Sequence, residues 1–517
     1  MNHPVQTGAA AGAPTHEIDH DGAAASVAPR GIRKERHARQ DVWICVLLAF
    51  LALAVRAVGL NGGLWLDEIN GILAWMRPDL TEILTVYKGD GQHPMYALLG
   101  HLSIVLFGES AWSVRLPAAL FGAACVPALY LLGRAAGSRR EALFAALLLA
   151  VSYHHVWFSQ NARGYTMLTF FVLLATYFLL RALEGDGRRW YIAYGIAIAL
   201  GAYTHITVVF PAFAHFLIAL WASWRADRRG PAIGFGIATG LTLLLYAPIL
   251  KQVVWWFLFR PSNFEGVSTP AWALAEAIRI LQRGVVGGAT AALGLMAITL
   301  GGTVFLVGAV SYWRQSRVVF ALFTLPYLTT FAGALLARGT MYPRFFFFLL
   351  PYAILMVVRG LERSGAWLGG RFGPARSAAV RGQRIASALS IAGILVFALS
   401  LGANYRYGKQ DFGGAIAYID SHRSTDESVL LAGAVRGPVQ EYYERTWPVV
   451  ESPAAITSLA GSGGYWIMYT FPRYIEFEFP DLMRHIDAVC ATREVFPGTV
   501  GDGDIIVCHV PAESRPS

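Results

Sequence analysis

The chain has 517 residues, 55% of them hydrophobic and 15% charged, with a mean hydropathy of +0.47; soluble domains carry about 25% charged residues, so a soluble fold is excluded. The net charge of +9 does not mark a nucleic-acid partner. Lys and Arg fall in short clusters between apolar runs, as in the cytoplasmic loops of polytopic membrane proteins.

Residues 1–40 are rich in Ala, Gly, Pro and His and end in Arg30, Arg33, Lys34, Arg36 and Arg39, which predicts a disordered cytoplasmic tail. The first apolar run starts near Asp41, has no small-residue cleavage site, and is long enough to be kept as a span. Apolar runs predict about eleven spans, near residues 42–60, 115–133, 141–158, 165–183, 190–204, 206–224, 232–250, 284–312, 318–337, 344–359 and 385–403. The segment His93–Phe107, about 15 residues, is short for a crossing and reads as an interfacial helix. With that choice the basic loops at Arg134/Arg139/Arg140, Arg181/Arg188/Arg189, Arg225/Arg228/Arg229, Arg314/Arg317 and 359–384 all share the side of the tail, as the positive-inside rule requires.

The far side then holds the first loop (61–114), the turn Ser159–Gly164, the loop 251–283, the turn Arg338–Pro343 and everything from about 405. Ala, Gly and Arg usage points to a bacterial inner membrane, with the periplasm as the far side. Residues 41–404 would form the membrane domain and 405–517 a small α/β domain, with a helix over Asp411–His422 and strands at 428–431, 465–469 and 504–508. Cys45 and Cys125 read as packing residues; Cys490 and Cys508 could pair in an oxidising compartment.

Candidate chemistry gathers on the far side. Asp67 and Glu68 follow Trp65-Leu66 just past the first span. They could be a solvated span end, or carboxylates in a partly dry cleft suited to general-base work. His93-Pro94 opens the interfacial helix, and Lys88 and His93 could contact an anion on the same face. Arg163 lies in the turn Gln160–Tyr165. Arg338 and Arg344 flank the turn 339–343 against the positive-inside trend, and Arg is suited to bidentate phosphate binding; Lys251 and Arg260 could add to such a site. His154, His155, His205 and His215 have no metal-ligand spacing, and no phosphate-binding loop, dinucleotide fingerprint or nucleophile elbow is present.

The pattern Leu64-Trp65-Leu66-Asp67-Glu68, then Gln92-His93-Pro94-Met95-Tyr96, then Ser113–Leu120, with Ser159–Tyr165 and Tyr342-Pro343-Arg344-Phe345, resembles the GT-C glycosyltransferases of the protein O-mannosyltransferase and aminoarabinose transferase superfamily, over roughly residues 42–404. The resemblance implies transfer of a monosaccharide, with inversion, from a polyprenyl-phosphate donor to a lipid, glycan or protein acceptor at the extracytoplasmic face. It implies Asp67 as catalytic carboxylate with Glu68 beside it, and Arg344, Arg163, Lys88, His93 and Arg338 near the donor phosphate. Trp65, Asn161, Tyr165 and Tyr342 would line the substrate cavity. Many relatives carry an acid in the second far-side turn where this chain has Asn161, so a metal held between two loops is not expected. Alternatives are a polyprenyl-linked polysaccharide polymerase or ligase, a lipid transporter, which would carry ionisable residues mid-membrane, and an inactive scaffold.

Overall fold

A computed structural model describes residues 30–512 apart from 90, 186, 224–228, 260–277, 279–290, 337–342, 373, 461–462 and 491. The chain divides between Ile44 and Cys45, and the fold below is that of the second unit. Among the described residues, helices fall within each of the eleven expected stretches, with 284–290 of the eighth outside the described set. They include α1 (Arg30–Ala57), α5 (Ala111–Ala136), α6 (Arg139–Ala150) with α7 (Tyr153–Ser159), α8 (Tyr165–Leu183), α9 (Arg188–Thr204), α10 (Val209–Ala222) and α11 (Arg229–Tyr246) with α12 (Leu250–Phe259). The rest are Ala291–Gln315, Arg317–Leu336, Leu350–Arg371 and Ala378–Arg406. By length and hydropathy, six of the described helices could cross a membrane, or up to eight if each bent pair is one span.

Among the described residues, breaks and short helices mark some of the expected stretches. The stretch 141–158 breaks between α6 and α7 with a 58° bend, and the buried Arg56 donates to the Ala150 carbonyl at the break (3.3 Å). The stretch 206–222 begins as a 3-10 turn, and α9 has only 17 residues.

Between α1 and α5 the first loop folds into α2 (Leu66–Gly71), a π-helical turn Ile72–Met76, α3 (Leu80–Thr85) and α4 (Pro94–Phe107). Pro94 starts α4 where no backbone donor is required, and the Gly108 cap ends it at φ +76°. Its 14 residues span about 21 Å, short of the roughly 30 Å hydrocarbon core. Ser110 accepts the Ser113 amide to start α5.

The C-terminal part is a five-stranded sheet of order β2-β1-β3-β5-β4, with β1 (Ser428–Ala432), β2 (Val449–Val450), β3 (Tyr465–Tyr469), β4 (Arg493–Phe496) and β5 (Ile505–Val510). β1 runs parallel to β2 and β3, and β5 antiparallel to β3 and β4. The alternation of β1, β3 and β5 builds two cores, as expected of strands buried on both faces. On one face Leu430, Ile467, Tyr469 and Val510 pack with Ile456, Ile475 and Ile486, and Cys490 is bonded to Cys508. On the other, Val429, Leu431, Trp466, Met468 and Val507 pack with Phe412 and Ile416 of the helix Phe412–His422. That second core continues through Leu64, Ile69, Ile72 and Met76 of the first loop to Val114, Ala118 and Met167. The sheet is therefore built onto the loop that carries Asp67.

Candidate active site

Asp67 and Glu68 occupy the first turn of α2 and point to different surroundings. Glu68 is fully buried. Arg115 Nε and Nη2 donate to its two oxygens at 2.7 and 2.6 Å, the Ala162 amide donates to Oε1 at 2.7 Å, and the Trp65 amide to Oε2 at 3.3 Å. Arg115 also donates to the carbonyls of Leu60, Gly62 and Gly63 at 2.8–2.9 Å. Desolvation pushes the Glu68 carboxyl up, but the Arg115 charge, the Lys409 charge and the hydrogen bonds outweigh it and hold the group below the ordinary carboxylate range. Glu68 is thus a fixed anion that ties the first loop to the second turn.

Asp67 keeps 23% of its side chain exposed, and its Oδ2 accepts from Arg344 Nη1 at 2.9 Å, the arginine being 31% exposed. Arg344 enters on the 3-10 turn Pro343–Leu349 ahead of the helix Leu350–Arg371. This pair is the open part of the cluster.

The turn between α7 and α8 is held at nearly every residue. Gln160 Nε2 donates to the Arg56 and Val58 carbonyls (2.9 and 2.5 Å), and its own carbonyl accepts from Lys409 Nζ. Asn161 Oδ1 accepts from Trp65 Nε1 at 3.2 Å. The Gly164 amide donates to His93 Nδ1 at 2.7 Å; a Cβ at Gly164 would sit 2.9 Å from that nitrogen, so the close approach requires glycine. Arg163 is different. It is 7% exposed, its guanidinium lies 5.3 Å from the centre of the Trp75 ring, and its Nε has no hydrogen-bond partner.

His93 is buried among Tyr165 and His205, with ring centroids at 5.2 and 4.5 Å. Desolvation first, then the charges of Arg163, His205 and Arg344, push its pKa well below the usual histidine value. With Nδ1 accepting the Gly164 N–H, the imidazole holds the second turn and leaves Nε2 as its other polar atom. Lys88 is exposed; it pairs with Glu82 at 2.5 Å and donates to the Ala74 carbonyl at 2.9 Å. Tyr165 is buried against Phe158, His93 and His205. Arg338, Tyr342 and Arg260 lie outside the described residues; Lys251, in α12, is exposed. Among the described residues no three His, Cys, Asp or Glu side chains cluster as metal ligands.

Three participants were not anticipated. Arg115 sits inside the quoted motif Ser113–Leu120, and an arginine at the start of an apolar run, 47 residues after an acid, is the signal that could have paired it with Glu68. Lys409 and Gln410 follow the last apolar helix with no sequence signal. Lys409 is buried, 5.1 Å from the centre of the Trp157 ring. Gln410 Oε1 accepts the Leu66 amide at 2.9 Å.

A cavity of about 10 Å3 between Trp75, Gly91, His93, Tyr96 and Arg163 is roughly the room of one water. A wider groove of about 760 Å3 is lined by Thr303, Leu306, Val310, Arg314 and Arg363 among others. It contains no carboxylate or imidazole, so the site is assigned by its chemistry and not by cavity size.

The fold has solved counterparts. ArnT from Cupriavidus metallidurans, in the apo state, superposes with a TM-score of 0.52 at 14% identity, covering 91% of this chain and 98% of that one. The archaeal oligosaccharyltransferase AglB from Archaeoglobus fulgidus, in complex with an inhibitory peptide and a dolichol-phosphate, gives 0.50 at 13% identity, over 92% of this chain and 76% of that one. In sequence, YkcB of Bacillus subtilis (strain 168), described as a candidate mannosyltransferase, is 30% identical over 120 residues, 23% of this chain and 17% of that protein. The chain thus shares the GT-C fold of these membrane proteins. Residues 91–259, about a third of the chain, match the family model for dolichyl-phosphate-mannose-protein mannosyltransferase.

Proposed function

We propose that this integral membrane protein transfers a monosaccharide from a polyprenyl-phosphate donor to a hydroxyl of a lipid, glycan or protein acceptor, with inversion, using Asp67 as the base. The observation that carries the reading is the part-exposed Asp67–Arg344 pair together with Arg163, a buried guanidinium whose Nε lacks an acceptor; the charges of both arginines reach His93 and His205. A buried cation without a counter-ion is costly, and an incoming phosphate would supply one. AglB in complex with a dolichol-phosphate supports the donor class.

In this reading the donor phosphate draws Arg344 away from Asp67 and pairs with Arg344 and Arg163. The freed Asp67 carboxylate accepts the proton of the acceptor hydroxyl as its oxygen bonds to the anomeric carbon. The bond from that carbon to the phosphate oxygen breaks, and its electron pair leaves with the phosphate, whose growing charge the two arginines stabilise. Glu68, Arg115, His93 and Trp65 hold the two turns. The alternating basic loops and the Cys490–Cys508 bond support a cytoplasmic N-terminus, with the site and the C-terminal domain on the periplasmic side of a bacterial inner membrane.

The test uses the full-length protein in nanodiscs with labelled undecaprenyl-phosphate mannose and an envelope extract as acceptor source. Asp67→Asn should fold and bind undecaprenyl phosphate, yet lose transfer by about 10²–10⁴-fold, the range for a general base. Turnover equal to wild type would refute the role of Asp67.

A further inference from the structure

We propose that Gln410, at the entry to the C-terminal domain, is a positioning residue for Asp67, so that the C-terminal domain completes the active site. The proposal rests on Asp67 acting as the base.

Gln410 is fully buried and each end of its amide has a partner of matching polarity. Oε1 accepts the Leu66 N–H at 2.9 Å, one of the amides at the start of α2 that the helix itself leaves unpaired. Nε2 donates to Thr470 Oγ1 at 3.0 Å and to the Gly503 carbonyl at 2.9 Å. Thr470 follows β3 directly, and its hydroxyl donates on to the Asp504 carbonyl at 3.0 Å, immediately before β5. Because Leu66 can only donate and Gly503 can only accept, the amide has one orientation. The ends of two central strands thus fix the residue that precedes Asp67.

The neighbouring backbone adds to this clamp. The Gln410 carbonyl would lie 3.0 Å from a Cβ at Gly63, so the strap formed by Lys409 and Gln410 touches the first loop backbone to backbone. On the other side Lys409 reaches the Gln160 carbonyl, and Trp157 Nε1 donates to Thr499 Oγ1 at 2.9 Å. The strap therefore grips both turns of the site: the one bearing Asp67 and the one bearing Arg163. Catalysis is sensitive to such placement, since a shift of about 1 Å can cost roughly 10²-fold in rate.

The test compares wild type, Gln410→Leu, Gln410→Glu and Thr470→Val as full-length proteins in nanodiscs. It combines peptide-resolved hydrogen exchange, undecaprenyl phosphate binding and turnover of labelled undecaprenyl-phosphate mannose with envelope extract. Losing one hydrogen bond of ordinary strength should raise exchange over residues 64–70 about tenfold in Gln410→Leu, with strands β1, β3 and β5 unchanged. Turnover should fall by about tenfold or more with binding within about threefold. Gln410→Glu keeps an acceptor for Leu66 but needs a proton to donate to the Gly503 carbonyl, so it should protect residues 64–70 more than Gln410→Leu does, and increasingly as the pH is lowered; Thr470→Val should show a weaker form of the Leu phenotype. Unchanged exchange at 64–70, or exchange that rises across the whole sheet, would overturn the proposal. Absence of transfer by the wild-type protein would count against glycosyl transfer, and the exchange comparison alone would then decide the role of Gln410.

Discussion

Two carboxylates one peptide bond apart, Asp67 and Glu68, each pair with an arginine far away in sequence, and the two pairs differ in nearly every physical respect. Glu68 and Arg115 are 0% and 2% exposed, and the pair is bidentate, backed by two backbone amides on the acid and three carbonyls on the base. Asp67 and Arg344 are 23% and 31% exposed, with a contact of 2.9 Å between them. A buried, saturated ion pair has no capacity left for a substrate. A part-exposed pair is screened by solvent and costs less to open, fully exposed pairs being worth about 0–1 kcal/mol. The difference separates the acid that holds the site from the acid that could act in it.

Exchanging amide for acid at each position tests this directly. Asp67→Asn should remove transfer by about 10²–10⁴-fold with little change in melting temperature. Glu68→Gln should do the reverse at first measurement. It leaves Arg115 buried without its anion, a loss of about 3–5 kcal/mol, read as a lower melting temperature and poorer yield in detergent. If Glu68→Gln melts like wild type and Asp67→Asn does not, the division of roles is wrong.

Arg163 extends the contrast to the cations. A structural arginine loses stability on removal, as Arg115 should. Arg163, stacked on Trp75 with its Nε unpaired, should not: Arg163→Gln is expected to melt within about 1 kcal/mol of wild type, while binding of undecaprenyl phosphate weakens about tenfold or more. Unchanged affinity would return Arg163 to a packing role.

Much of this was legible in the chain because the signals are local. Apolar runs marked the helices, the pattern around Trp65–Glu68 marked the first loop, and β-rich runs at 428, 465 and 505 marked three strands of the sheet. The two missed strands are short or exposed: β2 has two residues, and β4 (Arg493–Phe496) is mostly solvent-facing. What stayed hidden depends on long-range pairing. Nothing near Glu68 distinguishes it from Asp67; the distinction comes from Arg115 and Ala162. The partners of Lys88, Glu82 and Ala74, meet it only in the folded loop. Lys409 and Gln410 carry no periodic or motif signal, since their partners lie some 250 and 344 residues away.

The smallest effect expected is a pH dependence at Lys409. Desolvation, with Arg115 adding to it and Glu68 opposing, lowers this ammonium from 10.5 to about 7. Since the folded value lies below the unfolded one, the unfolded chain binds the extra proton between those limits, and stability rises with pH across that window. Well below pH 7 both states carry the proton and the slope vanishes. Lys409→Met has no such titration, so the melting temperature of wild type relative to this variant should rise from pH 7 to 9 and level off below about pH 6; groups common to both proteins cancel in the difference. A flat difference would mean that Lys409 is solvated enough to stay charged. The strap from the C-terminal domain would then lie looser against Gln160 and Trp157 than the buried contact implies, and the closed half of the site would begin to resemble the open one.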